Sequence, residues 1–274
     1  MTEKIDLLEG FKTKIRETNL TMNTIDSYTH AVKHFLSNSK NIITKKSLLE
    51  YKGYLLENYK PKTVNIRILA VNKFLEFLKL NKLKLKMIKI QQKTFIENVI
   101  SDVDYEFLKN KLKENKETNW YFVVRYLAAT GARVSELIQI KVESVKRGYI
   151  DIYGKGGKVR RLYIPKLLIE ETEEWLKQIR KESGYLFLNR FGNRITTRGI
   201  AHQLKHFARQ YGMNEKVIYP HSFRHRFAKN FLAKHNDIAL LADLMGHEDI
   251  ATTRIYLRAS SEEQREIIDR VVTW

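Results

Sequence analysis

Residues 149–164 read YIDIYGKGGKVRRLYI, two runs rich in β-branched and aromatic residues joined by the glycine-rich turn GKGGK. Tyr149–Tyr153 and Val159–Ile164 therefore form a β-hairpin. On both sides of this hairpin the apolar spacing changes to that of helices. Upstream, NWYFVVRYLAAT (119–130) is an apolar helix stopped by Gly131, and Ser101 with Asp104 is a capping signal for the helix before it. Downstream, helical patterns run over about 166–181, 197–211, 221–235, 237–245 and 261–272, with Gly212 and Gly246 as stops. One small sheet in a helical frame is the expectation for this half.

The first 80 residues are helical throughout. Ile25, Tyr28, Val32, Phe35 and Leu36 share one stripe, and Val64, Ile68, Val71, Leu75 and Leu78 share another. Leu7, Leu8, Phe11 and Ile15 mark a first helix, and Leu48, Leu49, Leu55 and Leu56 a third. Thr21 and Pro61 punctuate helix starts. In LKLNKLKLKMIKIQQKT (78–94) lysines alternate with apolar residues, which fits an edge strand or a basic linker lying along an anionic partner. The chain thus divides into a helical bundle at 1–95 and an α+β domain at 96–274, mainly α with a small β-sheet.

Composition narrows the function. The 274 residues, 43% of them hydrophobic and 11% aromatic, suffice for a packed core. The absence of cysteine excludes a disulfide scaffold, a thiolate metal site and a thiol nucleophile. No apolar run approaches the roughly 20 residues of a membrane span, and MTEKIDLLEG carries no secretory pattern. A soluble cytoplasmic protein without a membrane partner is expected. The net charge is +19, with +10 on residues 1–100 and +9 on the remainder. So large an excess on both parts of the chain points to nucleic acid as the partner.

Six residues could build a phosphate site. Arg133 follows a glycine stop in TGARVSEL. His221 and Arg224 lie three apart, on one face of a helix opening after Pro220. His247 follows Gly246, Tyr256 lies nine residues further on, and Lys155 sits in the hairpin turn. Singly, each has an ordinary explanation as a solvated, ion-paired or core residue. Together, guanidinium forks could bind phosphodiester oxygens and offset the charge that grows in a transition state, while a tyrosine attacks. Competing chemistries fail on spacing. His221 and His225 are four apart as in a zinc-protease helix, but Ser222 stands where that motif needs a glutamate. GKGGKV lacks the order of a nucleotide-binding loop, and no Gly-x-Ser-x-Gly elbow occurs.

ATGARVSEL (129–137), GKGGKVRRLYIP (154–165), HSFRHRFA (221–228) and LMGHEDIATTRIYL (244–257), in that order, resemble the tyrosine site-specific recombinases, and the Xer-like integrases in particular. NLTMNTIDSYTHAVKHFLSN (19–38) and KPKTVNIRILAVNKFLEFL (60–78) resemble that family's core-binding helical domain. The resemblance covers nearly the whole chain. It implies that Arg133, Lys155, His221, Arg224, His247 and Tyr256 are catalytic, with Lys158 a weaker candidate in the same turn as Lys155. Glu136 would orient the first arginine, and Met245 replaces the usual leucine before the Gly-His pair.

The implied reaction starts with attack of Tyr256 on the scissile phosphate, leaving a 3′-phosphotyrosyl link and a free 5′-hydroxyl. Arg133 and Arg224 would hold the non-bridging oxygens and His247 would hydrogen-bond the phosphate. Lys155 would protonate the leaving oxygen, and His221 would assist deprotonation of Tyr256. Neither a metal nor a nucleotide cofactor is implied. The implied substrate is double-stranded DNA with inverted half-sites, bound by a homo-tetramer or shared with a paralogous recombinase, at the nucleoid. In SSEEQREIIDRVVTW (260–274) a helix start precedes a stripe of Ile267, Val271 and Trp274. It packs on its own domain, or, as the resemblance implies, docks into a neighbouring protomer. Alternatives are a type IB topoisomerase-like or hairpin-forming phosphotyrosine enzyme, and a non-catalytic DNA-binding regulator.

Overall fold

The computed structural model describes residues 2–90, 98–153, 159–247, 250–257 and 261–272, and the chain divides into two units, Met1–Gln92 and Lys93–Trp274. The first unit holds α1 (Thr2–Arg16), α2 (Met22–Asn38), α3 (Lys45–Asn58) and α4 (Pro61–Phe77). The Thr21 hydroxyl accepts from the Thr24 amide to start α2, and Pro61 opens α4, where a missing N–H costs nothing. Thr44 and Ser47 form a reciprocal capping box at α3. Phe11, Phe35, Tyr51 and Phe74, one from each helix, are fully buried at the centre. Burying each such side chain contributes about 1.5–3 kcal/mol. Of the four leucines expected to mark α3, Leu48 and Leu55 face inward beside Tyr51, whereas Leu49 and Leu56 are exposed, because adjacent positions stand 100° apart on a helix.

The lysine-rich segment after α4 is neither a strand nor a free linker as far as residue 90. After a single 3₁₀ turn at Asn81–Leu83 it runs extended along α4. Two asparagines of α4 take the place of a neighbouring strand. Asn72 donates to Leu85 O at 2.9 Å and accepts from Leu85 N at 2.8 Å, and Asn65 does the same with Ile88, both at 2.9 Å. Leu85 enters the core while Lys84 and Lys86 remain outside it. Past Leu85 the alternation gives way: Met87 is 51% exposed, and the next anchored residue is Ile88, three positions on.

The second unit begins with α5 (Asp102–Glu114), α6 (Thr118–Thr130), α7 (Val134–Leu137) and α8 (Val142–Arg147). The Ser101 cap is in place, its hydroxyl accepting from Asp104 N at 3.0 Å. β1 (Tyr149–Tyr153) and β2 (Val159–Tyr163) then pair antiparallel, with Ile152 opposite Arg160 and Ile150 opposite Leu162. There follow α9 (Lys166–Gln178), α10 (Thr197–Gln210), α11 (Pro220–His235), α12 (Ile238–Met245), α13 (Ile250–Thr253), a 3₁₀ turn at Arg254–Leu257, and α14 (Ser261–Val271). The expected mainly helical fold with one small sheet is present. A continuous core surrounds α6, whose Val123, Val124, Tyr126 and Leu127 are fully buried. A smaller cluster joins Ala228 and Leu232 of α11, Leu241 and Met245 of α12, and Tyr256.

Candidate active site

The site is built where two helices stop and a third begins. α6 stops at Gly131, whose φ of +62° is left-handed, and an added Cβ there would lie 2.5 Å from the Phe227 ring. α12 stops at Gly246 (φ +60°). Both glycines are needed, for conformation and for space. α7 starts at Arg133, where the Glu136 carboxylate accepts the Arg133 backbone N–H at 2.7 Å.

The last carbonyls of α12 organise the arginines. A helix C-terminus leaves its final carbonyls without partners and carries partial negative charge. Leu244 O accepts from Arg160 Nη1 at 2.5 Å, Met245 O from Arg224 Nη2 at 2.6 Å, and Gly246 O from Arg133 Nη2 at 3.2 Å. Three consecutive carbonyls thus hold three arginines from three different elements. Arg224, 2% exposed, also donates to Gly131 O at 2.6 Å, which ties α11 to the end of α6.

Glu136 is the carboxylate among these cations. It is buried, with Oε1 accepting from Arg133 Nη1 at 2.9 Å and Oε2 from Arg160 Nη2. Burial pushes its carboxyl up, but the Arg160 charge and the hydrogen bonds from Arg133 and Arg160 outweigh this and hold it below the usual value. Three guanidiniums against one carboxylate leave an excess of two positive charges. Burial, and then the charge of Arg133, brings even the Arg224 guanidinium down to about 10. A buried cation held by neutral carbonyls is stabilised by an arriving anion.

Tyr256 lies within this array, 6% exposed, on the 3₁₀ turn after α13. Its ring is 5.4 Å from that of His225 and stacked at 6.2 Å on that of His247. Burial raises its phenol, while Arg224 opposes the rise through charge and a hydrogen bond. His247 Nε2 lies 3.1 Å from Arg224 Nη2, and its Nδ1 lies 2.8 Å from Thr253 Oγ1. Burial, then Arg224, lowers His247 to about 4. His225 is also lowered to about 4, by burial and then by His221 and Arg224. His221 lies beside it, with ring centroids 6.2 Å apart, and is also lowered, by burial and then by Arg224 and Arg133.

Arg133, His221, Arg224, His247 and Tyr256 therefore gather at one place. Lys155 and Lys158 lie outside the described residues. Arg133, Glu136, Arg160 and His247 line an open cavity of about 790 Å³, whereas a larger groove of about 1570 Å³, beside Trp120 and Arg194, touches none of the candidates. The sequence reading did not place Arg160, His225 or Thr253 in this site. Arg160 left one signal, a cation two residues before Leu162 on the strand face that turns inward. His225 left only its four-residue spacing from His221, which pointed to a metal motif that Ser222 breaks, and Thr253 left none.

The phage integrase family matches residues 77–263. The tyrosine recombinase XerA of Pyrococcus furiosus is 27% identical over 280 residues, covering 98% of this chain and 95% of that protein. The Tn1549 transposon integrase, in complex with transposon right end DNA, shares the fold with a TM-score of 0.72 at 15% identity, over 97% of this chain and 99% of that one. A lambda integrase dimer bound to a COC′ core site gives 0.73 at 14% identity, over 98% and 96%. The chain belongs to the phage integrase family and is an Xer-like tyrosine recombinase.

Proposed function

We propose that this enzyme cleaves and rejoins double-stranded DNA at specific sites through a 3′-phosphotyrosyl bond to Tyr256. The observation that carries the reading is the buried Tyr256 phenol beside Arg224, in an array with an excess of two positive charges. A phosphodiester brings one negative charge and gains a second as the phenol oxygen adds, so the array favours the transition state over the ground state. Arg133 and Arg224 bind the non-bridging oxygens, and His247 hydrogen-bonds the phosphate. The phenol is protonated at neutral pH and needs a base. His221 suits that task, because its lowered value keeps it neutral, whereas His225 and His247 at about 4 are weak acceptors in the free enzyme. Lys155 protonates the leaving 5′-oxygen. Rejoining is the reverse attack by a 5′-hydroxyl of the partner duplex, driven by the bond energy kept in the phosphotyrosine.

The family membership and the net charge of +19 support duplex DNA with inverted half-sites as substrate. In this reading four copies act on two duplexes at the nucleoid, with α14 of each copy engaging a neighbour. A nicked duplex that loses its 5′-hydroxyl fragment after cleavage traps the covalent adduct. Full-length protein should give a denaturation-resistant adduct, and Tyr256→Phe, which removes only the attacking oxygen, should bind DNA without forming one. Undiminished adduct from the Phe variant would sink the assignment of the nucleophile.

A further inference from the structure

We propose that Arg160 is a positioning residue of this site: it locks Glu136, and through Glu136 the Arg133 guanidinium, onto the final turn of α12. The proposal rests on the reading of Arg133 as a phosphate ligand.

The strand register puts Arg160 in an unusual place. Leu162, two residues on, is buried on the same face of β2, whereas Arg161 points outward and pairs with Asp151 at 2.8 Å. An inward position on a half-buried strand normally takes an apolar side chain, since burying a cation costs stability unless its donors are satisfied. The Arg160 side chain is only 11% exposed. One end of its fork reaches Leu244 O and the other reaches Glu136 Oε2, while its Nε is buried with no hydrogen bond among the described residues. A residue kept for packing alone would not leave that donor unpaired.

The surroundings are shaped to this side chain. A Cβ added to Gly246 would lie 2.1 Å from Arg160 Cδ and 2.5 Å from its Nε, so the turn just before His247 is hollowed where Arg160 crosses it. Glu136 Oε1 takes the Arg133 guanidinium, while Oε2 is shared between the Arg133 backbone N–H and Arg160. Remove Arg160 and Oε2 keeps only the local backbone N–H. The carboxylate then loses the contact that ties it, through the Arg160 fork, to Leu244 O of α12 and fixes the angle at which it holds the Arg133 guanidinium. A lysine cannot substitute, because a single ammonium lacks the planar fork that spans two acceptors at a fixed angle. β2 begins four residues after Lys155 in the sequence, so Arg160 anchors to α12 the strand that follows Lys155.

Two measurements on the full-length protein test the proposal. The first needs no DNA. In side-chain ¹⁵N spectra of the free protein, the Arg133 guanidinium should be ordered in the wild type and mobile in Arg160→Lys. An unchanged Arg133 signal in that variant overturns the proposal whatever the enzyme does. The second uses a nicked-duplex library with a randomised core, from which covalent capture selects the sequence attacked. On that duplex Arg160→Lys and Arg160→Gln should slow single-turnover cleavage by roughly 10²-fold, the scale of a misplaced catalytic group, with Kd for intact DNA unchanged. Glu136→Gln should also slow cleavage, and the double variant Arg160→Gln/Glu136→Gln should be no slower than the slower single, since both act through one link. Losses that multiply, or cleavage by Arg160→Lys at the wild-type rate, overturn the proposal. If Arg160→Gln does not fold, Arg160→Lys, which keeps the charge and the methylene stem, carries both tests. A wild type that captures no DNA counts against the proposed reaction, while the Arg133 spectra still decide the role of Arg160.

Discussion

Arg224 Nη2 lies 3.1 Å from His247 Nε2, and this pairing sets the protonation of the imidazole. A guanidinium only donates, so Nε2 accepts and the ring proton sits on Nδ1. Nδ1 then donates to Thr253 Oγ1 at 2.8 Å. Thr253 is fully buried on α13, so the residue that orients the histidine lies three positions before Tyr256 on the same stretch of chain. The Tyr256 phenol and the tautomer of its stacking partner are fixed by one local structure.

Thr253→Val keeps the shape of the side chain and removes the acceptor. It leaves a buried Nδ1–H unpaired, at a cost of about 1–3 kcal/mol. Denaturant unfolding should show that loss. Imidazole ¹⁵N spectra should show a shifted and broadened Nδ1–H signal for His247, its proton still on Nδ1 because Arg224 still donates to Nε2, and cleavage should slow. A variant with wild-type stability and an unchanged Nδ1–H signal would refute the role given to Thr253.

The buried histidines set a pH window. His225 and His247 fall to about 4 in the folded protein, against 6.5 as the ordinary value. Between those values the unfolded chain binds two protons that the native state does not. Stability is therefore complete above about 6.5 and declines as pH falls toward 4. His34 and His221, also lowered, act in the same direction. With allowance for partial exposure, each of the two strongest groups contributes about 1–2 kcal/mol across the window. The melting temperature should fall by several degrees between pH 7 and pH 5, at about 2–4 °C per kcal/mol. His225→Phe keeps a ring against Tyr256 and removes one titration, so its profile should be visibly shallower. A wild-type slope in that variant would show that His225 titrates normally.

Gly246 and Gly192 separate conformation from space. Both have positive φ, +60° and +75°, but an added Cβ meets Arg160 at Gly246 and nothing within 4 Å at Gly192. Gly192→Ala should cost about 1–2 kcal/mol, for the left-handed backbone alone. Gly246→Ala must also displace Arg160 from Leu244 and Glu136, and should cost roughly 3 kcal/mol or more, with loss of cleavage. Equal losses in chemical unfolding would show that Arg160 yields without cost.

Much of this could be read from the sequence, and the exceptions share a cause. Helices and the hairpin follow from periodicity, glycines and caps, which act over a few residues. The clustering of Arg133, His221, Arg224, His247 and Tyr256 was legible because chemistry and family motifs agree on those residue types. The anchoring of Leu85 and Ile88 by Asn72 and Asn65 was not, since bonds spanning 13 and 23 residues leave no mark in a local pattern. Arg160 was missed for the same reason. Its partners, Glu136 and Leu244, lie 24 residues before it and 84 after it. Leu49 and Leu56 show the converse error, because apolar neighbours in sequence need not share a face.

α14 yields the last prediction. Ile268, Val271 and Val272 stand three and four apart on one side of the helix, and all three are exposed, Ile268 at 57% and Val271 at 54%. Among the described residues these three side chains join no buried cluster of their own domain, while Ile267 and Trp274 lie outside the described side chains. An amphipathic helix gains stability by burying such a stripe, at about 25 cal/mol per Å², so an open stripe favours a second molecule. The proposed tetramer supplies one, in the form of a neighbouring copy. The 3₁₀ turn bearing Tyr256 ends at Leu257, and α14 begins at Ser261. Tension on the helix would thus reach Tyr256, the proposed nucleophile, through a connection of three residues. Docking in a neighbour would then couple assembly to cleavage, which suits an enzyme that must not cut an unpaired site. Deleting residues 262–274 should leave binding to a single DNA site intact and abolish synapsis and strand exchange. Gel-shift and sedimentation measurements on one and two duplexes separate these outcomes. Full-rate recombination by the truncated protein, through tetrameric synapses, would show that α14 does not link the subunits. Ile268→Glu offers a milder test, since a charge in the stripe leaves an exposed helix intact but opposes burial in a partner.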